Sequence, residues 1–100
     1  MTTLNDMIGR YVIVRCRDAG VHAGVLVETE GRACTLNEAR RLWYWKPFEG
    51  AFLSAVAVSG LSDESKIGVP VDIHLTDDCE IILCTHDAEQ SIRSKKDYLK

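Results

Sequence analysis

The 100-residue chain has no run approaching the ~20 consecutive apolar residues of a membrane-spanning helix. That excludes a helical membrane anchor. It also lacks a basic excess. Twelve Lys and Arg stand against fifteen Asp and Glu, a net charge of −3. A general duplex nucleic-acid binder neutralises many phosphates with Lys and Arg, so that class is excluded, while a local basic patch is not. The chain contains no G-x-S-x-G, HExxH, phosphate loop or G-x-G-x-x-G. No motif therefore points to catalysis, and the expectation is a non-enzymatic protein with no cofactor. Paired C-x2-4-C motifs are missing too. The nearest approach is Cys79-x4-Cys84 with His86, which is poor spacing for structural zinc, so no metal is expected. The start, "MTTLNDMIGR", has neither a basic n-region nor an apolar h-region. The expectation is a cytosolic protein whose four cysteines, Cys16, Cys34, Cys79 and Cys84, are reduced thiols. Internal repeats and low-complexity tracts are absent.

What is present fits one small domain over 1–100, with ragged ends at about 1–6 and 94–100. Apolar residues make up 46% and charged residues 27%, ordinary proportions for a globule. "RYVIVRC" (10–16) alternates and is β-branched, so it predicts a first strand. "VHAGVLVETE" (21–30) predicts a second strand, with Gly24 marking a bulge or a close backbone approach. A tight turn at "EG" leads into 32–46, which holds a third strand and a fourth after a break near Asn37-Glu38. "AFLSAVAVSG" (51–60) puts Phe52, Leu53, Val56 and Ala57 on a helical stripe ending at Gly60. "LSDESKIG" reads as a polar loop. "VPVDIHL" (69–75) alternates strictly, and Pro70 suits an edge strand. "EIILCT" (80–85) reads as a strand buried on both faces. "THDAEQSIRSKK" predicts a helix capped by Thr85, with acids early and bases late along its dipole. The fold class is α+β: a small antiparallel β-sheet or half-barrel of about five or six strands with one or two short helices.

The segment "RRLWYWK" (40–46) does not fit a half-buried strand. In an extended chain Ala39, Arg41, Trp43 and Trp45 share one face, and Arg40, Leu42 and Tyr44 the other. Each face carries an arginine and at least one ring. Two readings fit. In the first, the rings anchor a small core and the arginines stack on them at its rim. In the second, the segment is a recognition surface, with rings for planar groups and arginines for phosphate or carboxylate. His22 lies between Gly20 and Gly24, where small neighbours let a ligand approach, although a lone His is more often a structural hydrogen bonder. Asp72 and His74 share the polar side of the edge strand.

The segments "MIGRYVIVRC", "DAGVHAGVLVE", "NEARRLWYW" and "VPVDIHLTDDCEIILCT" resemble a family of small proteins of unknown function carried by tailed bacteriophages and prophages. The resemblance implies an accessory protein made in the bacterial host cytosol. Small non-enzymatic phage proteins often act by binding a host protein, a nucleic acid or a defence-signalling nucleotide. The expected function is sequestration of a small anionic, nucleotide-like ligand. The candidate contacts are His22, Arg40, Arg41, Trp43, Tyr44, Trp45 and Lys46. Unpaired strand edges suggest a homo-oligomer. The alternatives are a protein-interaction or virion-associated module docking through the aromatic strand, with a host protein as partner, and a binder of single-stranded nucleic acid.

Overall fold

The structure, a computed structural model, describes residues 5–98, without the side chain of Cys79. The ragged ends expected at 1–4 and 99–100, and the Cys79 thiol, lie outside the described residues. A short 3-10 turn at Asn5–Met7 precedes β1 (Tyr11–Cys16), β2 (Val21–Glu30), β3 (Ala33–Tyr44), α1 (Leu53–Ser59), β4 (Lys66–Ile67), β5 (Val71–Leu75), β6 (Asp78–Leu83) and α2 (His86–Ser94). The strands form one open antiparallel sheet in the order β4-β3-β2-β1-β6, with β5 also pairing β3. This is the expected α+β class.

The sheet is curled. A two-residue link, Thr76-Asp77, joins β5 on one edge to β6 on the other. Backbone bonds from Asp78 to the Arg32 carbonyl (2.9 Å) and from Arg17 to the Asp77 carbonyl (3.2 Å) close that corner. Inside the curl lie Val12, Val14, Leu26, Cys34, Leu36, Ala39 and Leu75, with Ile73, Ile81 and Leu83 packed against them. On the opposite face the two helices cover Tyr11, Ile13, Ala23, Leu42 and Ile67 with Leu53, Val56, Ala57, Ala88 and Ile92. Full burial of an aliphatic side chain contributes roughly 1.5–3 kcal/mol, so the period-2 alternation of β1 stabilises both layers at once.

Several expectations change on contact with the tertiary structure. β3 is one strand through Asn37-Glu38, not two. An extra residue there forms a bulge: Val25 pairs with Asn37 and Ala23 with Arg40, so two steps along β2 match three along β3. Glu38 takes the left-handed conformation, φ 55°. Its amide donates to Asp72 Oδ1 (3.1 Å) and its carboxylate meets Arg93 (3.1 Å), which support the strained backbone. Gly24 faces the bulge, and a Cβ there would sit 2.9 Å from Ala39 Cα and from the Asn37 carbonyl. The expected polar loop contains β4. β6 is an edge strand with Ile81, Ile82 and Leu83 only half-buried, because nothing pairs with its outer side among the described residues. In β5, an edge as expected, only Leu75 is buried. Phe52 is exposed, outside the buried stripe of α1. Residues 95–98 are not frayed: Asp97 bridges to Ile67, and the Tyr98 amide donates to the Ile67 carbonyl (2.8 Å). α2 is capped as predicted, with Ala88 N–H donating to Thr85 Oγ1 (3.1 Å).

Candidate functional site

The bulge in β3 decides which way its arginines point. Leu36 and Ala39, three apart, both enter the core inside the curl. From there the alternation sends Arg40 and Leu42 to the helix side, and Arg41 and Trp43 outward.

Arg40 is 3% exposed. Its Nε donates to the Gly68 carbonyl (2.9 Å) and its Nη1 to the Ile92 carbonyl (2.7 Å) and more weakly to that of Arg93 (3.5 Å). Nη2 pairs with Asp97 Oδ1 (2.8 Å). One guanidinium thus ties β3, the residue after β4, the carbonyls at the C-terminal end of α2, and the returning tail. A cation is favoured at that helix end by the dipole. These bonds use the charge entirely within the protein. Arg40, expected among the ligand contacts, belongs to the frame.

His22 is also interior, at 1% exposed. It pairs in register with Arg41, and its Nε2 donates to the Ala19 carbonyl (2.9 Å), which fixes that tautomer. Burial lowers its pKa below the usual imidazole value; the Ala19 bond opposes this and the Arg41 charge adds to it. His22 therefore stands as a neutral, buried hydrogen bonder.

On the outer face Arg41 is exposed and Trp43 is 58% exposed. Trp43 stacks on Tyr98, with centroids 5.5 Å apart and planes at 11°. Lys66 Nζ lies 5.4 Å from the Trp43 ring, 5.3 Å from Tyr98 and 6.0 Å from Tyr44. Arg41, Trp43, Ile67, Gly68 and Tyr98 line an open groove of about 230 Å³. Among the described residues neither Arg41 nor Lys66 forms an ion pair with a carboxylate, although the protein is acidic overall. Chemically this is an apolar ring platform with two cations at its rim.

The remaining expected contacts are dispersed. Tyr44 is exposed next to Lys66 and does not line the groove. Trp45 is half-buried against the helix-side core. Lys46 is exposed and paired with Glu64 (3.0 Å), a bond that raises its pKa. The structure thus brings together Arg41 and Trp43 from the expected set and adds Lys66 and Tyr98. Neither addition had a sequence signal beyond its type. β4 is two residues long, too short for a period, and Tyr98 is a single ring in a polar tail.

Elsewhere, Asp72 and His74 do not pair with each other. His74 Nδ1 shares a hydrogen bond with Thr35 Oγ1 (2.9 Å), while Asp72 holds the Glu38 amide. Cys16, Cys34 and Cys84 are buried. Burial is the main cause that pushes the thiols of Cys34 and Cys84 up to about 12, so both stay protonated near neutral pH. No helix among the described residues is long and apolar enough to cross a membrane.

No curated protein and no solved structure matches the chain. Residues 9–92 match the family described as Domain of unknown function (DUF6948), and because that match covers most of the sequence, the protein belongs to this family.

Proposed function

We propose that the protein is a non-enzymatic binding protein whose ligand is a small planar anion of the nucleotide type. The observation that carries this reading is the Trp43–Tyr98 stack flanked by Arg41 and Lys66, neither of which pairs with a carboxylate among the described residues. A ring platform attracts a base, and stacking contributes ~1–3 kcal/mol per base. Unpaired cations at its rim attract phosphate, with a charge-assisted hydrogen bond contributing ~1.5–3 kcal/mol. A compact site needs only a few local charges, which agrees with a net charge of −3. The resemblance to tailed-phage proteins supports the corresponding setting: sequestration of a host-defence signalling nucleotide in the bacterial cytosol, by a homo-oligomer.

The groove itself favours a second reading. At about 230 Å³ it is smaller than the roughly 300–1,000 Å³ usual for small-molecule sites. It accommodates one ring, which is also what a partner protein's aromatic side chain would present. In that reading the aromatic strand docks on a protein, with Trp43, Tyr98 and Arg41 as its anchors.

A thermal-shift panel of mono-, di- and cyclic nucleotides, read alongside tryptophan fluorescence, separates the two. A bound nucleotide at ~100 times its Kd adds about 2.7 kcal/mol to stability and raises Tm visibly. Arg41→Ala abolishes that shift while leaving the unliganded Tm nearly unchanged. A flat response to every nucleotide, with no change in fluorescence, rejects the nucleotide reading and leaves docking.

A further inference from the structure

We infer that the Arg40–Asp97 ion pair is a latch that positions Tyr98 as the second wall of the groove, so that the tail after α2 is a working part of the site. This rests on the reading that the ring patch binds the ligand.

Three observations converge on it. First, the tail is tied down at defined points. Lys95 pairs with Asp63 at 2.9 Å, Asp97 meets the buried guanidinium of Arg40 at 2.8 Å, and Asp97 bridges to Ile67 through a backbone pairing that includes the Tyr98 amide donating to the Ile67 carbonyl at 2.8 Å. Second, Arg40 is held rigidly by the Gly68 and Ile92 carbonyls, so it offers Asp97 a fixed point, not a mobile surface charge. Asp97, 44% exposed, is the solvent-facing side of the pair. Third, Tyr98 follows directly and lies nearly parallel to Trp43, forming one wall of the groove. The ion pair, the backbone bond and the ring stack thus fall on consecutive residues. Lys66 sits at almost equal distance from both rings, so the same tail also sets the place of one cation.

The geometry gives the tail a definite role. Inserting a third ring between Trp43 and Tyr98 needs about 7 Å, twice the ~3.5 Å carbon contact distance, and the centroids stand 5.5 Å apart. A planar ligand in the groove therefore touches the edges of both rings or displaces Tyr98 outward. In either case its fit depends on where the latch holds Tyr98. Arg40 and Asp97 are positioning residues: they act through Tyr98 and touch no ligand.

The test begins with unliganded protein. Asp97→Ala should remove the NOEs between the Trp43 and Tyr98 rings while the β1–β2–β3 amides keep their exchange protection. Asp97→Glu, which can still reach the guanidinium, should restore the NOEs. Adenosine 5′-monophosphate is then titrated into the wild type, Asp97→Ala, Tyr98→Ala and the double variant. Tyr98→Ala should weaken binding about tenfold, the scale of one lost stacking contact. Asp97→Ala should weaken it to a similar degree, and the double variant should be no worse than Tyr98→Ala alone. Ring NOEs that survive in Asp97→Ala overturn the latch, as do additive losses in the double variant. If the wild type fails to bind this nucleotide, the ligand class is judged on the wider nucleotide panel, and the latch stands or falls on the NOEs alone.

Discussion

Arg40 and Arg41 are chemically identical neighbours with opposite environments. Arg40 is buried and hydrogen-bonded to three carbonyls and a carboxylate, while Arg41 is exposed on the rim of a groove and meets no carboxylate among the described residues. The alternation of a strand guarantees that adjacent residues face opposite sides, but not which side is the interior. The bulge at Asn37-Glu38 and the glycine opposite it make that choice. The lesson is that a charge-rich strand serves two ends at once. Its inner arginine replaces water with protein acceptors, and its outer arginine keeps its charge available.

The largest expected effect tests the inner half of that contrast. Arg40→Ala takes this donor from the Ile92 carbonyl, which keeps the Lys95 amide (3.3 Å), and from the half-buried Gly68 carbonyl, and it removes the partner of Asp97. Hydrogen bonds to a charged group contribute ~1.5–3 kcal/mol each, so a loss of about 3 kcal/mol is expected. In a domain this small that lowers Tm by more than about 10 °C, measurable by calorimetry or circular dichroism. A loss below about 1 kcal/mol would mean that water replaces the guanidinium and that Arg40 is not a structural tie.

Trp43→Ala is next. Loss of the Tyr98 stack should cost about 1 kcal/mol of stability, against the ~3–5 kcal/mol of a core tryptophan. Urea titration distinguishes the two values, and the higher one would make the outer face a core.

The smallest expected effect links the two faces through His22. Arg41→Ala should change stability at neutral pH by less than ~0.5 kcal/mol. The pH dependence is more informative. The pKa of His22 in the fold lies below its unfolded value of about 6.5, chiefly through burial and further through Arg41. Below about pH 6.5 the unfolded chain takes up a proton that the folded ring resists. The stability present above that pH is therefore lost progressively as pH falls towards the folded value. Denaturation curves between about pH 7.5 and pH 5 should show this slope, His22→Gln should lessen it, and Arg41→Ala should flatten it slightly. An unchanged slope in His22→Gln would assign the acid sensitivity to other groups.

Legibility in the sequence followed the strength of local pattern. β1 and β2 show period-2 alternation of β-branched residues, and α2 shows a cap and ordered charges, so each was readable where it stands. β4 was not, because two residues contain no period and its pairing partner, Leu42, lies more than twenty positions away. β3 looks like two strands in the sequence because a bulge interrupts alternation in the same way a break does. Of the site, "RRLWYWK" announced itself by composition, and Arg41 and Trp43 do line the groove. Lys66 and Tyr98 come from separate parts of the chain and share no motif with it.

By itself the sequence determined the α+β class, the hairpin order, the helix cap and the presence of an unusual cluster of rings and arginines. These follow from local forces: side-chain periodicity, turn chemistry and capping act over a few residues. Only the tertiary structure decided that Arg40 is sealed inside while Arg41 is exposed, that His22 is neutral, and that a tail tyrosine completes the groove. Those outcomes depend on one bulged register and on burial by elements distant in sequence, with the Arg40–Asp97 contact spanning 57 positions, which no local pattern encodes.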